Sequence, residues 1–136
     1  MAIRQNRLLI TKRDYDKLSR LLNSEYTQAI GNKPYLTGLR SDLAMAEIVD
    51  SEAVNPDVVT MNSKVILVDL DTDEDEIYVL VYPDQANIAN GRLSILTPIG
   101  TAILGCRVGD LVNGIASRIQ IKEILYQPER QKIAFR

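Results

Sequence analysis

The segment TPIGTAILGCRVGD, residues Thr97 to Asp110, places a proline and three glycines around one short apolar run. Thr97 is a favourable N-cap, Pro98 suits the first helical position, and Gly105 suits the residue just past a helix end. These signals predict a helix of about two turns. We expect one face of it to pack on a core, because three apolar side chains recur at helical spacing: Ile99, Ile103 and Leu104.

Gly100 lies inside this predicted helix, where glycine costs about 1 kcal/mol relative to alanine. Either the backbone lies close to another group, or no side chain is tolerated at this position. Beyond the helix, Gly109-Asp110 predicts a turn into the next strand. On these residues alone, a small helix that closes a sheet explains the segment as well as a binding site does.

Composition narrows the possible functions. The 136 residues predict one domain, or one domain with an appendage, and the net charge of −2 disfavours direct nucleic-acid binding. One cysteine, Cys106, excludes an intramolecular disulfide, and the absence of histidine excludes a Cys/His metal site and a histidine general base. Leu8 to Ile10 is too short for a signal peptide or a membrane span, so we expect a cytoplasmic protein without a membrane segment.

Two helices are predicted in the first third of the chain. Thr11 and Asp14 resemble a capping box, and apolar residues follow at helical spacing as far as Asn23. After the polar break Gly31–Pro34, a second helical pattern runs from Leu36 to about Ile48. Each helix would be about 12 residues, or ~18 Å, long, and we expect the two to pair antiparallel.

A change of periodicity divides the chain near the loop DSEAVNPD, Asp50 to Asp57. Before this loop the apolar residues recur at helical spacing, and after it they form strand-like runs. We therefore expect a short helical hairpin over residues 1–52 and a sheet domain over residues 53–136. Helices followed by strands predict an α+β chain.

The strand-like runs predict the order of the sheet. Lys64–Leu70 and Glu76–Pro83 flank an acidic turn, which predicts a hairpin, and the second run is apolar on both faces, as is typical of a central strand. Arg92–Leu96 follows as another strand. In the run 118–126 the apolar phase changes, so we expect a β-bulge or a two-sided strand near Lys122-Glu123.

Two features that could carry chemistry have simpler structural interpretations. The acidic residues 69–76 resemble a calcium loop, but counting from Asp71 places Glu76 where glycine is needed and Tyr82 where a bidentate glutamate belongs. A solvated hairpin turn is therefore the better interpretation. Cys106 follows a predicted helix end, where the helix dipole disfavours a thiolate, so we expect a structural role.

Three stretches resemble a known family. LVYPDQA (80–86), NGRLSILTPIGTAILGCRVGD (90–110) and EILYQP (123–128) resemble the C-terminal domain of the Gre transcript cleavage factors, bacterial proteins that bind RNA polymerase. The resemblance implies an FKBP-like fold, in which an antiparallel sheet of about five strands carries one short helix. It also implies an antiparallel helical pair before the sheet.

The resemblance assigns a role to the proline-led segment. In Gre factors this segment belongs to the surface that docks at the rim of the polymerase secondary channel. The resemblance thus implies RNA polymerase core enzyme as the partner. We expect a monomer that competes with Gre factors. Five residues would form the partner-binding site: Thr97, Pro98, Ile99, Gly100 and Thr101.

The chain departs from the Gre pattern at the presumed hairpin tip, Ser24–Pro34. Gre factors hold a catalytic magnesium ion with acidic tip residues, whereas Glu25 is the only acid of this segment. The predicted hairpin is also too short to reach down a deep channel. We therefore expect no transcript cleavage, no cofactor and no enzymatic activity.

Two other functions stay open. An FKBP-like fold suggests a peptidyl-prolyl isomerase by analogy alone, and with no tryptophan and a single phenylalanine, Phe135, an aromatic proline pocket is hard to build. The third possibility is a regulator that binds another protein, such as a nucleoside diphosphate kinase.

Overall fold

The computed structural model describes residues 7–113 and 117–130, and this part of the chain mixes helices with sheet. Phe135 lies outside the described residues. Short 3₁₀ turns occur at Ser51–Ala53, Pro83–Gln85 and Ile88–Asn90. The helices are α1 (Lys12–Leu22), α2 (Glu25–Ile30), α3 (Pro34–Ala44) and α4 (Pro98–Ile103), and the strands are β1 (Leu9–Ile10), β2 (Glu47–Ile48), β3 (Lys64–Asp69), β4 (Glu74–Val81), β5 (Arg92–Ser94), β6 (Leu111–Asn113) and β7 (Arg118–Tyr126).

Helix α1 begins as predicted. The Thr11 side chain accepts a hydrogen bond from the Asp14 amide, which satisfies one of the free donors at the helix start. Leu18 and Leu22 are buried, and the helix ends at Leu22 with Asn23 as its C-cap. Local capping and spacing were therefore sufficient to locate this element.

The second predicted helix differs from the structure at both ends. Helix α3 starts at Pro34 and ends at Ala44 instead of continuing to Ile48. Glu47 and Ile48 form β2, which pairs in parallel with β1, because the Glu47 amide donates to the Leu8 carbonyl at 2.9 Å. A two-strand pairing with the start of the chain thus replaces the last turn of the predicted helix.

The predicted tip, Ser24–Pro34, contains the additional helix α2. Ser24 caps its start by accepting from the Thr27 amide, and Gly31 ends it with a positive φ of 86°. Six residues are too few to give a clear periodicity, so these caps were its only sequence signal. The antiparallel pairing of α1 with α3 stays a prediction.

Among the described residues, the larger sheet has five strands in the order β5-β4-β3-β7-β6. The β3–β4 hairpin is antiparallel, as predicted. Two expectations were wrong. β4 is an interior strand between β3 and β5, as expected, but it is not buried on both faces, because its first half extends with the hairpin turn into solvent, leaving Ile77 50% exposed.

The second correction concerns β5, which pairs with β4 in parallel, whereas an all-antiparallel sheet was expected. Two 3₁₀ turns, Pro83–Gln85 and Ile88–Asn90, carry the chain back along the sheet before β5 begins. Leu80 therefore lies beside Leu93, and both are buried. The two turns determine this parallel pairing. The apolar pattern of the strands does not indicate it.

The predicted bulge in β7 is confirmed. Leu67 of β3 pairs with Ile121 and Ile66 pairs with Glu123, so Lys122 is the extra residue. The bulge lets Ile121 and Ile124 both pack toward the core despite their spacing of three.

Helices and sheet share one hydrophobic cluster in the described residues. It is built from buried side chains of α1, α3, β3, β4, α4 and β7, among them Leu18, Leu39, Val65, Leu80, Ile103 and Ile121. The division at residues 1–52 and 53–136 stays a prediction. Within the ranges described, no helix has both the length and the apolar character that a membrane crossing requires.

Candidate functional site

A hydrogen-bonded cap fixes the start of α4 to the end of β5. The Thr97 hydroxyl accepts from the Gly100 amide at 3.0 Å and donates to the Ser94 carbonyl at 2.7 Å. The Thr101 hydroxyl donates to the Pro98 carbonyl at 3.1 Å. These bonds join the strand end to the first helical turn, so the backbone around Pro98 is held in one conformation.

Gly100 packs against the same strand end. A Cβ atom at this position would lie 2.2 Å from the Ser94 carbonyl oxygen, 2.8 Å from Thr97 Oγ1 and 3.1 Å from the Ile95 Cα. Of the two explanations that the sequence left open, the structure supports the first, since the backbone lies close to another group. That group belongs to this chain, so internal packing already explains the glycine.

The five predicted site residues lie together, Thr97 as the N-cap of α4 and the other four within the helix, but they differ in exposure. Pro98 is exposed, and Thr97 and Ile99 are partly buried. Gly100 and Thr101 are buried. A partner could therefore contact Pro98 and its two neighbours directly, while Gly100 and Thr101 support the backbone beneath them.

Two exposed apolar side chains follow α4 and were missed by sequence reasoning. Val108, 42% exposed, lies in the connection to β6, and Leu111, 37% exposed, begins β6, which packs beside α4. The connection is fixed, because the Val108 amide donates to the Asp57 carbonyl at 3.0 Å and the Arg107 amide donates to an Asp110 carboxylate oxygen at 2.8 Å. The sequence pattern does not show that these two side chains are exposed, because isolated apolar residues between polar ones also occur in strands with one buried face.

The acidic β3–β4 turn is stabilised by bonds within the sheet. Asp69 accepts from the Ser117 hydroxyl at 2.7 Å and from the Asp71 and Thr72 amides, and these bonds lower the pKa of its carboxyl. Lys122 Nζ lies 2.7 Å from Asp75. Among residues 7–113 and 117–130, no three metal-ligating side chains form a potential metal site.

The part of the chain that contains the larger sheet matches a known family. Residues 54–126 match the model described as transcription elongation factor, GreA/GreB, C-term. This chain belongs to the GreA/GreB family of transcription elongation factors, which confirms the resemblance inferred from the sequence motifs.

Individual relatives extend the comparison to most of the chain. The regulator of nucleoside diphosphate kinase of Escherichia coli K12 is 34% identical over 127 residues, which cover 90% of this chain and 91% of that protein. Transcription elongation factor GreA of Thermodesulfovibrio yellowstonii is 36% identical over 94 residues, covering 66% of this chain and 60% of that protein.

A solved structure shows the same arrangement. The prokaryotic transcription elongation factor GreA/GreB from Nitrosomonas europaea superposes with a TM-score of 0.77 at 34% identity, covering 88% of this chain and 99% of that one. The fold and the family are therefore consistent with each other.

Proposed function

We propose that this chain binds the core enzyme of RNA polymerase at the rim of the secondary channel, through Thr97, Pro98 and Ile99. It acts in the cytoplasm as a monomer and as a regulator that competes with Gre factors. Its sheet domain has the FKBP-like arrangement implied by the family. The observation that carries the proposal is the exposed Pro98 on a rigid, family-matched segment.

The local geometry suits a small contact site. A few well-packed side chains supply most of the energy of an interface, and a rigid contact loses little conformational entropy on binding. Pro98 has no free φ torsion, and its turn is held by the Thr97 cap. Gly100 lets this turn lie against the end of β5, which sets how far Pro98 projects.

We also propose that the chain does not stimulate transcript cleavage. Catalytic magnesium needs carboxylates placed together, and Glu25 is the only acid between Ser24 and Pro34. In the structure most of this segment is helix α2, whose single acidic side chain is Glu25 in its first turn. The chain would therefore occupy the site of a Gre factor without replacing its chemistry.

The experiment is a binding competition with purified core RNA polymerase. Labelled protein is titrated with polymerase, and unlabelled GreA is added to the complex. Displacement by GreA, together with unchanged transcript cleavage in stalled elongation complexes, is the expected result. Absence of binding at micromolar concentration would refute the docking proposal, and stimulated cleavage would refute the second part alone.

A second candidate function is regulation of nucleoside diphosphate kinase. It is favoured by the 34% identity to the Escherichia coli regulator of that name over 90% of this chain. Purified kinase would be assayed with and without an excess of this protein. A change in phosphotransfer rate would support this function, and an unchanged rate with no complex on gel filtration would exclude it.

A further inference from the structure

An apolar groove opens between the helical segment and the residues that follow β4. Leu21 at the end of α1, Tyr26 of α2, and Tyr82, Pro83 and Asp84 line its volume of about 360 Å³. Its walls are aromatic or aliphatic except for the Asp84 carboxylate. This volume lies at the lower end of the range for ligand pockets, so it suits a short peptide segment.

One wall of the groove is rigid. The Tyr82 hydroxyl donates to Asp14 at 2.9 Å, and Lys17 Nζ lies 5.1 Å from the Tyr82 ring centroid. Burial raises the pKa of the Tyr82 phenol, so the hydroxyl remains a donor at neutral pH. The ring therefore keeps its position whether or not the groove is filled.

The opposite wall is exposed but sits on a fixed backbone. Tyr26 is 59% exposed in the first turn of α2. The next residue, Thr27, is buried, and its hydroxyl donates to the Leu21 carbonyl at 2.6 Å. The groove thus presents a free aromatic ring on a helix that is anchored to α1.

The edge of the groove also carries a negative charge, which belongs to Asp84. Asp84 is exposed and forms no ion pair with any side chain in the described part of the chain. Lys17 is already engaged with the Tyr82 ring. A basic group that enters with a ligand would therefore find the Asp84 carboxylate available.

We propose that this groove binds a proline-containing segment of another protein, in polyproline II conformation, with arginine or lysine beside the proline. Proline rings pack on flat aromatic walls, and a polyproline II segment loses little entropy because it is already extended. Asp84 pairs with the neighbouring basic side chain and sets the direction of the segment. The site is separate from the residues of α4, so it does not depend on the polymerase proposal.

The test is an NMR titration of the whole ¹⁵N-labelled chain with a peptide of Pro-Pro-Arg repeats, up to about 1 mM, a range that detects weak binding. We expect shifts at the amides of Leu21, Tyr26 and Asp84. Tyr26→Ala should weaken binding at least about tenfold, while the matched control Tyr26→Phe keeps the ring and the affinity. A Pro-Pro-Glu peptide should bind at least about tenfold more weakly.

Three results would overturn the proposal: no shifts at these amides, equal affinity of the Arg and Glu peptides, or unchanged affinity in Tyr26→Ala. Self-association that Tyr26→Ala abolishes would also overturn it, since a second copy would then fill the groove. Spectra of the free variants check folding. If Tyr26→Ala does not fold, Asp84→Asn serves instead, and it should weaken only the Arg peptide.

Discussion

Replacing Gly100 by alanine tests whether internal packing explains this glycine. The new Cβ would lie 2.2 Å from the Ser94 carbonyl oxygen, a backbone atom that hydrogen bonds hold in place. Alanine gains at most about 1 kcal/mol from helix propensity, whereas overpacking of this severity costs about 3 kcal/mol. We therefore expect Gly100→Ala to lower the free energy of unfolding by about 2 kcal/mol.

Thermal unfolding followed by circular dichroism measures this effect. For a chain of this size, a loss of about 2 kcal/mol corresponds to a fall in Tm of roughly 6–8 °C. Gly38→Ala is a matched control, because Gly38 lies in the exposed middle of α3, where an added methyl group would meet no atom within 4 Å. That variant should be more stable by about 0.5–1 kcal/mol.

The two variants should thus shift Tm in opposite directions. If Gly100→Ala were as stable as the wild type or more so, the contact with Ser94 would not be restrictive. The glycine would then need another explanation, such as close approach of a partner.

Three further predictions concern polar side chains that hydrogen-bond between different segments of the fold. Thr27→Val should lower the free energy of unfolding by about 0.5–1.5 kcal/mol in urea denaturation, because it removes the 2.6 Å bond from the Thr27 hydroxyl to the Leu21 carbonyl, which keeps the Ser24 hydroxyl as its other donor. Glu129→Ala should lower the free energy of unfolding by about 1–3 kcal/mol in the same assay, because buried Glu129 accepts a hydrogen bond from the Thr60 hydroxyl at 2.8 Å. For either variant, an unfolding midpoint unchanged from wild type would contradict the prediction. The pKa of Asp69 is lowered in the folded chain, so its stabilising contribution is present above its unfolded pKa of 3.8 and is lost as the pH falls through the folded pKa. Acid titrations should show Asp69→Asn losing less stability than wild type below about pH 4, and parallel curves would contradict this assignment.

Elements governed by local signals were predictable from the sequence. The start of α4 follows from Thr97 and Pro98, and its end follows from Gly105, because each of these residues favours its local backbone conformation. The bulge at Lys122 follows from a change of apolar phase within one strand. In both cases the deciding interaction lies within a few residues.

Elements that depend on distant pairing were not predictable in this way. Ile48 continues a helical pattern, and only the pairing of β2 with β1 shows that it is a strand residue. The parallel β4–β5 pair depends on the path of two turns. The secondary-structure propensities of single residues carry no information about which strand pairs with which. Contacts between distant parts of the chain therefore determine both pairings.

The candidate site shows the same division. Sequence motifs located the segment around Pro98, but they could not separate exposed residues from the buried Gly100 and Thr101. The groove between Tyr26 and Tyr82 joins residues that are far apart in the chain. The tyrosines are scattered along the sequence, and no local pattern places these two together.

The central claim is that Pro98 contacts RNA polymerase, and the affinity of core enzyme for Pro98→Asp tests it most directly. Aspartate is tolerated in the first helical turn, where it interacts favourably with the helix dipole, so the fold should be kept. Pro34→Asp is the matched control, since Pro34 is also exposed and also begins a helix. We predict that Pro98→Asp binds at least about tenfold more weakly while Pro34→Asp binds like wild type. Wild-type affinity in a folded Pro98→Asp variant, or an equal loss in both, would contradict the account.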